Sequence, residues 1–437
     1  MAKLFGIWIV GSLLFLHSCK KNEPCATCPP SIGSTEISLS DVSCTETWLK
    51  LSFGDANQPR TYVVTRTAGN GTAKEVTSGY LIGSDTLVYD KGLTPGAIYT
   101  YTIQRMYDSK ASVNSSPLQV KTMDTTSHEM SWTLERFGDG AASSFHDVAI
   151  INDTLAYAVG EVYSKDSTGQ WDPQPSNVAQ WNGKHWTLQK LYANGFPPSI
   201  QAIFAVNDHD VWLSPWFHWN GVQFTNISSD PMFFGVGISR MWGNSNALYA
   251  VGSNGFIACR GTDGIWTRIT SGTTLGIQDI WGNGNEILAV ASSPAQNDGS
   301  LVLQVNGNSA STISGKGLPW SLTGIWFASN HSYYISGDGI FSKHVLSDSS
   351  WISLHQNITT FYTVRVRGNA TNDVFLVGAY GEIVHFNGAT WRSYRNVTGI
   401  DGALGGLAVK GNLVMAVGTE ETSSGPRAVV AIGKRNL

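Results

Sequence analysis

Five charged or titratable side chains at one point of a repeated pattern have the greatest capacity for chemistry in this sequence. They are His146, Asp147, Arg240, Asp279 and Arg365, and each lies one or two residues before the same apolar position of its repeat. Carboxylates beside arginines and a histidine can transfer protons or hold a charged ligand. If the repeats surround an axis, these side chains meet at the mouth of a central channel. There they either bind a ligand or satisfy one another.

Catalytic motifs are not found in the sequence. It contains no Gly-x-Ser-x-Gly elbow, His-Glu-x-x-His pair or phosphate-binding loop. The segment Ser164–Trp171 is similar to the Asp-box turn of sialidase-like propellers, but Gly169 stands one position late for that motif. A pair of catalytic carboxylates cannot be selected from 32 acidic residues by sequence. We therefore expect no catalysis, cofactor or metal, and a glycoside-acting hydrolase remains the third alternative.

The charged positions belong to strand pairs that recur seven times after residue 144, of which Gly237–Gly252 is the clearest copy. The repeats align on Val148, Ile203, Met241, Ile280, Ile325, Val366 and Leu407. Neighbouring copies are separated by between 38 residues (203 to 241) and 55 residues (148 to 203). This period is typical of four-stranded propeller blades.

Asn-Gly turns mark the outer strands of three repeats. They lie in Gln180–Trp186, His218–Phe224 and His385–Trp391. Asn-Gly between alternating strands predicts a hairpin with a type I′ turn, which needs positive φ at both central residues. The aromatic residues beside these turns, such as Trp181 and Trp186, are expected to pack between neighbouring blades.

An early strand predicts how the repeats close. Ser131–Phe137 is similar to the fourth strand His185–Leu191, whereas the last repeat ends without a fourth strand. Pairing the two would remove exposed sheet edges. We therefore predict an all-β chain in which residues 131–437 form a seven-bladed β-propeller closed by its N-terminal strand.

The propeller repeats resemble those of bacterial envelope and surface proteins, in which Asp-Val-Trp or Leu-Tyr-Ala-Val-Gly strands precede an Asn-Gly hairpin. Asp210–Trp212 and Leu248–Gly252 carry this resemblance, and Asn372–Gly378 is a variant. The resemblance implies the architecture and leaves the ligand open.

Residues 31–123 predict a separate sandwich. Alternating apolar residues indicate strands in Glu36–Val42, Trp48–Phe53, Thr61–Arg66 and Thr86–Tyr89. The segment Leu93–Ile103 resembles the part of fibronectin type III domains that carries the tyrosine corner. That resemblance implies that Tyr99 hydrogen-bonds to backbone a few residues upstream. Residues 124–130 are expected to be a linker.

The N-terminus has the pattern of an export signal. Lys3 precedes the apolar run Leu4–Leu16, which is too short to span a bilayer. Leu16-His17-Ser18-Cys19 resembles the lipobox of bacterial lipoproteins, so residues 1–18 would be a signal peptide, Cys19 the lipidated residue and 19–30 a tether. The protein is expected in the bacterial cell envelope, lipid-anchored in the outer membrane. The sequence does not determine whether it faces the periplasm or the cell surface. The alternative is a plain secretory signal.

The remaining cysteines favour a structural role. Cys25 and Cys28 have the spacing of a redox motif, but they lie in a Pro-flanked tail and not between a strand and a helix. A disulfide, with Cys44 as a further candidate partner, suits an oxidising compartment. Cys259 is expected to be a buried thiol.

The two faces of the predicted propeller differ in loop length. Connections between first and second strands and between third and fourth strands are short, and we call their side the turn face. The opposite side, the loop face, carries the second-to-third connections and the links between blades. It receives longer segments, including Glu161–Asn177 and Ala291–Ser300, and such loops commonly build binding sites. The predicted aromatic contacts there are Tyr163, Trp171, Trp216, Phe233, Phe234 and Trp320.

Composition narrows the function further. A formal charge of -4 excludes the basic surface that nucleic acid binding requires. The sequence therefore predicts a noncatalytic, membrane-anchored binding module for a protein or glycan ligand. The alternative is a structural or assembly component of the envelope.

Overall fold

The computed structural model describes residues 33–54, 60–107, 111–138, 142–214, 217–227, 230–293, 299–328 and 331–436. The predicted signal peptide, Cys19, the tether, Cys25, Cys28 and Trp216 lie outside these ranges. Within the described ranges, no helix has the length and apolar character needed to cross a membrane.

The N-terminal part of the chain forms two antiparallel sheets, which we call the N-terminal sheets. The first contains β1 (Thr35–Val42), β2 (Glu46–Phe53) and β5 (Asp85–Lys91). The second contains β3 (Arg60–Ala68), β4 (Lys74–Leu81), β6 (Ile98–Tyr107), β7 (Ala111–Asn114) and β8 (Leu118–Lys121).

Their core follows from alternation along the strands. Leu49, Leu51 and Phe53 of β2 point to one side and pack with Tyr101 and Ile103 of β6. The predicted hydrogen bond of Tyr99 is confirmed, since the Thr94 N–H donates to its hydroxyl oxygen at 2.9 Å.

A segment without regular structure, 122–129, leads to β9 (Met130–Phe137) and then to repeated four-stranded sheets. The described residues contain seven of them, numbered here by the order of their first strands. Sheets 1 to 3 comprise β10 Ser144–Asn152, β11 Leu155–Val162, β12 Ser176–Trp181 and β13 Trp186–Gln189; β14 Ile203–Asn207, β15 Asp210–Leu213, β16 Phe217–Trp219 and β17 Phe224–Asn226; β18 Ile238–Gly243, β19 Leu248–Gly252, β20 Phe256–Arg260 and β21 Trp266–Ile269.

Sheets 4 to 7 continue the pattern. They comprise β22 Ile277–Asn283, β23 Glu286–Ser292, β24 Ser300–Asn306 and β25 Ser309–Ile313; β26 Leu322–Trp326, β27 Tyr333–Gly337, β28 Gly339–Lys343 and β29 Ile352–Ser353; β30 Thr363–Ala370, β31 Asp373–Gly378, β32 Ile383–Phe386 and β33 Trp391–Ser393; β34 Gly402–Lys410, β35 Leu413–Glu420, β36 Arg427–Arg435 and β9. Short helices lie in three links: a 3-10 turn at Pro231–Phe233, α1 at His355–Ile358 and α2 at Arg395–Thr398.

The sheets form a closed ring. The first strand of each sheet contacts the first strand of the next, and β34 contacts β10. β9 pairs with β36 along its whole length, from Met130 opposite Arg435 to Phe137 opposite Ala428. The predicted pairing of the early strand with the last repeat is therefore confirmed. It places strands from both ends of the repeat region in one sheet.

Packing between neighbouring sheets explains why Trp-Gly follows the aligned apolar position in two repeats, at Trp242-Gly243 and Trp281-Gly282. In sheet 3 Trp242 packs toward sheet 4, where a Cβ added at Gly282 would lie 2.4 Å from its ring. In the same way, a Cβ added at Gly368 of sheet 6 would lie 3.0 Å from the ring of Trp326. Each glycine thus leaves the space in which the aromatic ring of an earlier sheet rests. The repeat motif is the packing contact between sheets.

The Asn-Gly hairpins differ from the prediction. Gly183 has φ of 92°, but Asn182 is not among the residues with positive φ, so the turn is not type I′. Trp181 pairs with Trp186, which leaves a loop of four residues. The Asn182 side chain accepts hydrogen bonds from the N–H groups of Lys184 and His185 at 3.1 and 2.9 Å. The longer loop lets asparagine stabilise the turn through its side chain without a left-handed backbone.

The Trp residues beside this turn pack as expected. Trp186 meets Phe137 of sheet 7 in an edge contact, with ring centroids 6.2 Å apart. They therefore fill the contact between neighbouring sheets.

The N-terminal sheets dock on the turn face of sheets 5 and 6. Asp41 Oδ2 lies 3.2 Å from His331 Nδ1, in the first connection of sheet 5. The Trp48 ring lies 4.6 Å from that of the same histidine. In sheet 6 the Asn372 side chain donates to the Asp124 carbonyl at 2.8 Å. The turn face is thus partly covered, and the loop face lies on the other side of the ring.

Cys44 lies in this junction as a buried free thiol. Burial raises its pKa to about 11, and the charge of Asp124 adds to the effect. Its Sγ donates to the Asp124 carbonyl at 3.3 Å. The predicted pairing of Cys44 in a disulfide is therefore not seen. Cys259, predicted to be buried, is a half-buried free thiol.

The junction also contains two histidines in direct contact. Nδ1 of His128, in the segment before β9, lies 2.8 Å from Nδ1 of His385 in β32. His385 is fully buried, and its Nε2 hydrogen-bonds with Asp373 Oδ1 at 3.0 Å. Burial, followed by the neighbouring His385, lowers the pKa of His128 from 6.5 to about 4. Burial also lowers the pKa of His385.

We expect acid to destabilise the protein through this pair. A histidine with a lower pKa in the folded state binds fewer protons than it does in the unfolded chain, so stability falls as the pH drops below about 6.5. The melting temperature should decrease from about pH 7.5 to about pH 5, and His128→Gln should reduce that decrease. The exposed His209 provides a control, since His209→Gln should follow the wild type. An unchanged pH dependence in His128→Gln would contradict the expectation.

Candidate functional site

Irregular pairing positions the charged residues of the first strands. The register shifts immediately before Asp147, Arg240, Asp279 and Arg365, so the first strand carries one extra residue there. Such bulges reorient the side chains that follow them. The repeat therefore directs these residues toward the centre of the ring, although they are far apart in sequence.

Asp279 is the centre of this charged group and is fully buried. Its carboxylate accepts two hydrogen bonds from Arg367, both at 2.9 Å, and lies 3.1 Å from Arg365 Nη1. It also accepts from the Ile325 N–H at 3.0 Å. Burial alone would raise the pKa of Asp279, but Arg367 and Arg365 outweigh it and lower the pKa to about 2. One carboxylate thus joins sheets 4, 5 and 6.

Arg240 and Arg365, the two arginines predicted at the channel mouth, are close enough to repel each other. Burial, and then the charge of Arg240, lower the pKa of Arg365 to about 9, while Asp279 opposes the change. Arg240 forms no ion pair with any described residue. Its guanidinium instead donates to the carbonyls of Ser239 at 2.6 Å and of Gln201 and Gly405 at 3.2 Å. Arg240 therefore connects sheets 3 and 7 with the segment that leads into sheet 2.

Asp147 repeats the contact of Asp279 in another sheet. Its carboxylate accepts from the N–H groups of Val148 at 3.0 Å and Ile203 at 3.2 Å, which joins sheets 1 and 2. His146 is half-buried, and its Nε2 lies 3.4 Å from the hydroxyl oxygens of Ser144 and Ser199. Burial lowers its pKa.

This arrangement explains what the predicted charged residues do. Both carboxylates are occupied by backbone N–H groups or by arginines, and the arginines donate to carbonyls of other sheets. The contacts stabilise the ring where its first strands meet. Arg367 was not predicted, although Arg365-Val-Arg367 places two arginines on one side of a strand and so carried the signal.

A cavity of about 140 Å³ lies on the turn-face side of these residues. Its lining includes Asp147, Trp242, Trp281 and Arg367. Among the described residues, no group of three or more histidine, cysteine, aspartate or glutamate side chains is arranged to hold a metal ion.

The loop face is distinguished by exposed aromatic rings. In the described part of the ring of sheets, exposed aromatic residues lie in second-to-third connections or in links between sheets, with exposed fractions between 37 and 65%. They are Trp171, Tyr192, Phe196, Phe234, Tyr362 and Tyr380. The exposed large apolar residues of the turn-face loops are aliphatic: Val206, Val222 and Ile265. The most exposed aromatic side chains of this part of the structure therefore lie on one face.

The predicted aromatic contacts divide between surface and core. Trp171 and Phe234 are exposed, and Lys165 Nζ lies 5.3 Å from the centre of the Trp171 ring. Tyr163 and Trp320 are half-buried. Phe233 is only 7% exposed and packs edge-on against Trp266, with centroids 5.1 Å apart. Phe233 therefore belongs to the core, because the 3-10 turn directs it inward and its neighbour outward.

Four exposed aromatics were not predicted. Tyr380 lies in the short connection between β31 and β32, whereas Tyr192, Phe196 and Tyr362 lie in links between sheets that the prediction did not single out. For Phe196 and Tyr380 the sequence signal was a large aromatic residue next to Gly, as in Asn194-Gly-Phe196 and Tyr380-Gly381.

Two polar grooves also open on the loop face beside the link between sheets 3 and 4. One has a volume of about 700 Å³ and the other about 640 Å³. Serine and threonine residues line both, and Thr273 and Thr274 are shared by the two. They offer hydroxyl groups but no aromatic ring.

Comparison with known proteins identifies the fold. No protein-family model and no curated protein match the chain. The structure of YCF48 bound to D1 peptide matches with a TM-score of 0.53 and 12% identity, covering 70% of this chain and 95% of that one. A short form of the sensor domain of the anti-sigma factor RsgI4 from Pseudobacteroides cellulosolvens matches 21% of this chain and 95% of its own, with 16% identity and a TM-score of 0.17. The first match and the repeated four-stranded sheets together show that this chain contains a β-propeller.

Proposed function

We propose that this protein is a noncatalytic binding module that holds a protein ligand on the loop face of its β-propeller. The observation that carries the proposal is that, among the described residues of the propeller, the exposed aromatic side chains lie on that face. Aromatic rings give large contact area at low entropic cost, and they are enriched in protein interfaces. The N-terminal sheets dock on the opposite face and leave the aromatic face open.

The proposal takes each four-stranded sheet as one blade, so that the propeller has seven blades and spans residues 131–437. It takes residues 31–123 as a fibronectin type III-like domain, joined by the linker 124–130. The hydrogen bond of Tyr99 and the two packed sheets support that assignment. The domain then acts as a spacer that holds the propeller by its turn face.

A protein ligand is favoured over a glycan by two observations. YCF48, which shares the fold, is seen with a peptide bound. The polar grooves of the loop face lack the aromatic platform on which a sugar ring would stack. The central charged residues are engaged with one another, which supports a role in the scaffold.

The proposal includes a lipid anchor at Cys19 and a location in the bacterial envelope, supported by the charged and then apolar N-terminus. Fractionation of cells that express Cys19→Ala tests the anchor. The variant should leave the membrane fraction, and membrane retention equal to the wild type would refute the anchor.

Site-specific photocrosslinking tests the binding face. A photoreactive phenylalanine analogue replaces Phe196 or Phe234 on the loop face, and Val222 or Ile265 on the turn face as matched exposed controls. In cells of the native host, both loop-face positions should crosslink to the same protein, and the turn-face positions should not. Crosslinks confined to the turn face, or none from the loop face, would refute the proposal.

A further inference from the structure

Two connections of the propeller share one backbone conformation but carry different residues. In sheet 3 the second-to-third connection is Gly252-Ser-Asn254-Gly255, and in sheet 6 it is Gly378-Ala-Tyr380-Gly381. Asn254 and Gly255 have φ of 54° and 65°, and Tyr380 and Gly381 have φ of 57° and 66°. Asparagine and glycine tolerate this left-handed turn, whereas a bulky aromatic residue adopts it at a cost.

The tight path of the chain requires that conformation. A Cβ added at Gly255 would lie 1.9 Å from the Thr273 carbonyl oxygen, and one at Gly381 would lie 2.2 Å from that of Ile400. Both connections therefore lie directly against the link that follows their sheet. Sheet 6 maintains a strained tyrosine, 56% exposed, at the position where sheet 3 has the favourable asparagine.

Neighbouring residues hold the Tyr380 ring in place. Its centroid lies 5.2 Å from that of Phe361. Arg395 lies 4.6 Å from the Phe361 ring centre, and its Nε donates to the Tyr380 carbonyl at 2.9 Å. Next to Phe361, the exposed Tyr362 hydrogen-bonds with Ser321 Oγ at 2.6 Å. Phe361 and Tyr380 are in ring contact and Tyr362 follows Phe361 in the chain, and we call these three residues the tyrosine ridge.

Acidic side chains surround the ridge. The Asp338 N–H donates to the Ser321 carbonyl at 3.2 Å, which places Asp338 beside Tyr362. On the other side of the ridge, the Gly381 N–H donates to the Gly402 carbonyl at 2.8 Å, which places the preceding residue Asp401 near Tyr380. The Asp401 carbonyl in turn accepts from the Glu421 N–H at 2.7 Å, so Glu421 lies beside Asp401.

These three acidic residues are exposed, and none forms an ion pair with a described residue. Arg395 supplies one positive charge beside the ridge. Arg136 and Arg427, near Glu421, are both paired with Glu420. The surroundings of the ridge are therefore net negative.

We propose that the tyrosine ridge binds an extended, basic segment of the partner protein. Lysine or arginine side chains of that segment lie beside Asp338, Asp401 and Glu421, and its apolar side chains rest on Tyr362 and Tyr380. Cations and aromatic faces attract each other, and unpaired carboxylates strengthen the preference for a basic ligand. This inference rests on the proposed function and narrows the partner to one chemical class.

Fluorescence anisotropy with labelled peptides tests the inference. The probe is a peptide of about 12 residues in which lysine alternates with leucine, and a second peptide has glutamate in place of lysine. The full-length protein should bind the lysine peptide with an affinity that falls as salt rises, and should not bind the glutamate peptide. Tyr380→Asn should weaken binding about fivefold or more, while its melting temperature stays at or above that of the wild type.

Tyr192→Asn is the matched control, because Tyr192 is 48% exposed on the same face but outside the ridge. It should bind the lysine peptide as the wild type does. Asp401→Asn should weaken binding and reduce its salt dependence, whereas Asp208→Asn, in a turn-face loop, should not. Equal binding of the two peptides, wild-type binding by Tyr380→Asn, or a lower melting temperature of that variant would overturn the inference.

Failure of this inference can be distinguished from failure of the proposed function. If Phe196 and Phe234 positions crosslink to a partner but a photoreactive residue at 380 does not, the loop face binds protein and the ridge does not take part. If none of the three positions crosslinks, the proposed function itself is wrong.

Discussion

Replacing Asp279 by asparagine is expected to lower the free energy of unfolding by about 3–5 kcal/mol. The substitution preserves shape but removes the one charge that Arg365 and Arg367 share. Two buried guanidinium groups would then lie beside Arg240, with the weaker influence of Asp147 left to offset their charges. Chemical denaturation followed by tryptophan fluorescence measures the change.

The matched control is Glu129→Gln. Glu129 pairs with Arg392 at 2.7 Å, but both side chains are exposed, so its loss should cost no more than about 1 kcal/mol. Equal losses of unfolding free energy in the two variants would show that the buried Asp279 network stabilises the protein no more than an exposed ion pair does.

The network also has a predicted pH dependence. The pKa of Asp279 is lowered to about 2 in the folded protein. Its contribution to stability is therefore complete above the ordinary aspartate pKa and is lost as the pH falls below that pKa toward about 2. It is therefore distinct from the histidine pair, which acts at milder acidity.

Removing the Trp326 side chain is the second change with a large expected effect. Trp326 is 1% exposed and lies between Trp281 and Tyr334, with centroid distances of 6.4 and 6.3 Å. It rests on Gly368, whose missing side chain makes room for the ring. Trp326→Ala would leave a cavity between sheets 5 and 6 and should cost about 3–5 kcal/mol.

Trp171→Ala is the control for that measurement. Trp171 is 45% exposed on the loop face, so its removal should change stability by less than about 0.5 kcal/mol. A loss for Trp326→Ala no larger than that for Trp171→Ala would contradict the packing described for the Trp-Gly motif. Thermal and chemical denaturation should rank the two variants in the same order.

The candidate site was only partly predictable from sequence. The repeat alignment singled out Asp279 and Arg365 together, and the structure brings their side chains into contact. Arg367 was missed, because its partner Asp279 lies 88 residues away and is brought close only by ring closure. Tyr380 was missed because the prediction considered the longer segments of the loop face and not the short Gly378–Gly381 connection. Its left-handed backbone becomes visible only when φ is known.

By itself the sequence determined the all-β repeat, the aligned apolar positions and the pairing of the early strand with the last repeat. These features depend on the local alternation of apolar and polar residues and on a repeat period of roughly 40 residues. Both can be read directly from one sequence. The tertiary structure alone decided the form of the Asn-Gly turns, the free state of Cys44 and the face on which the N-terminal sheets dock. It also decided which carboxylate neutralises which arginine. The turns owe their form to four-residue loops, which the Asn-Gly pair alone does not reveal. The other outcomes depend on contacts between residues distant in sequence, whose geometry is set only when the chain has folded.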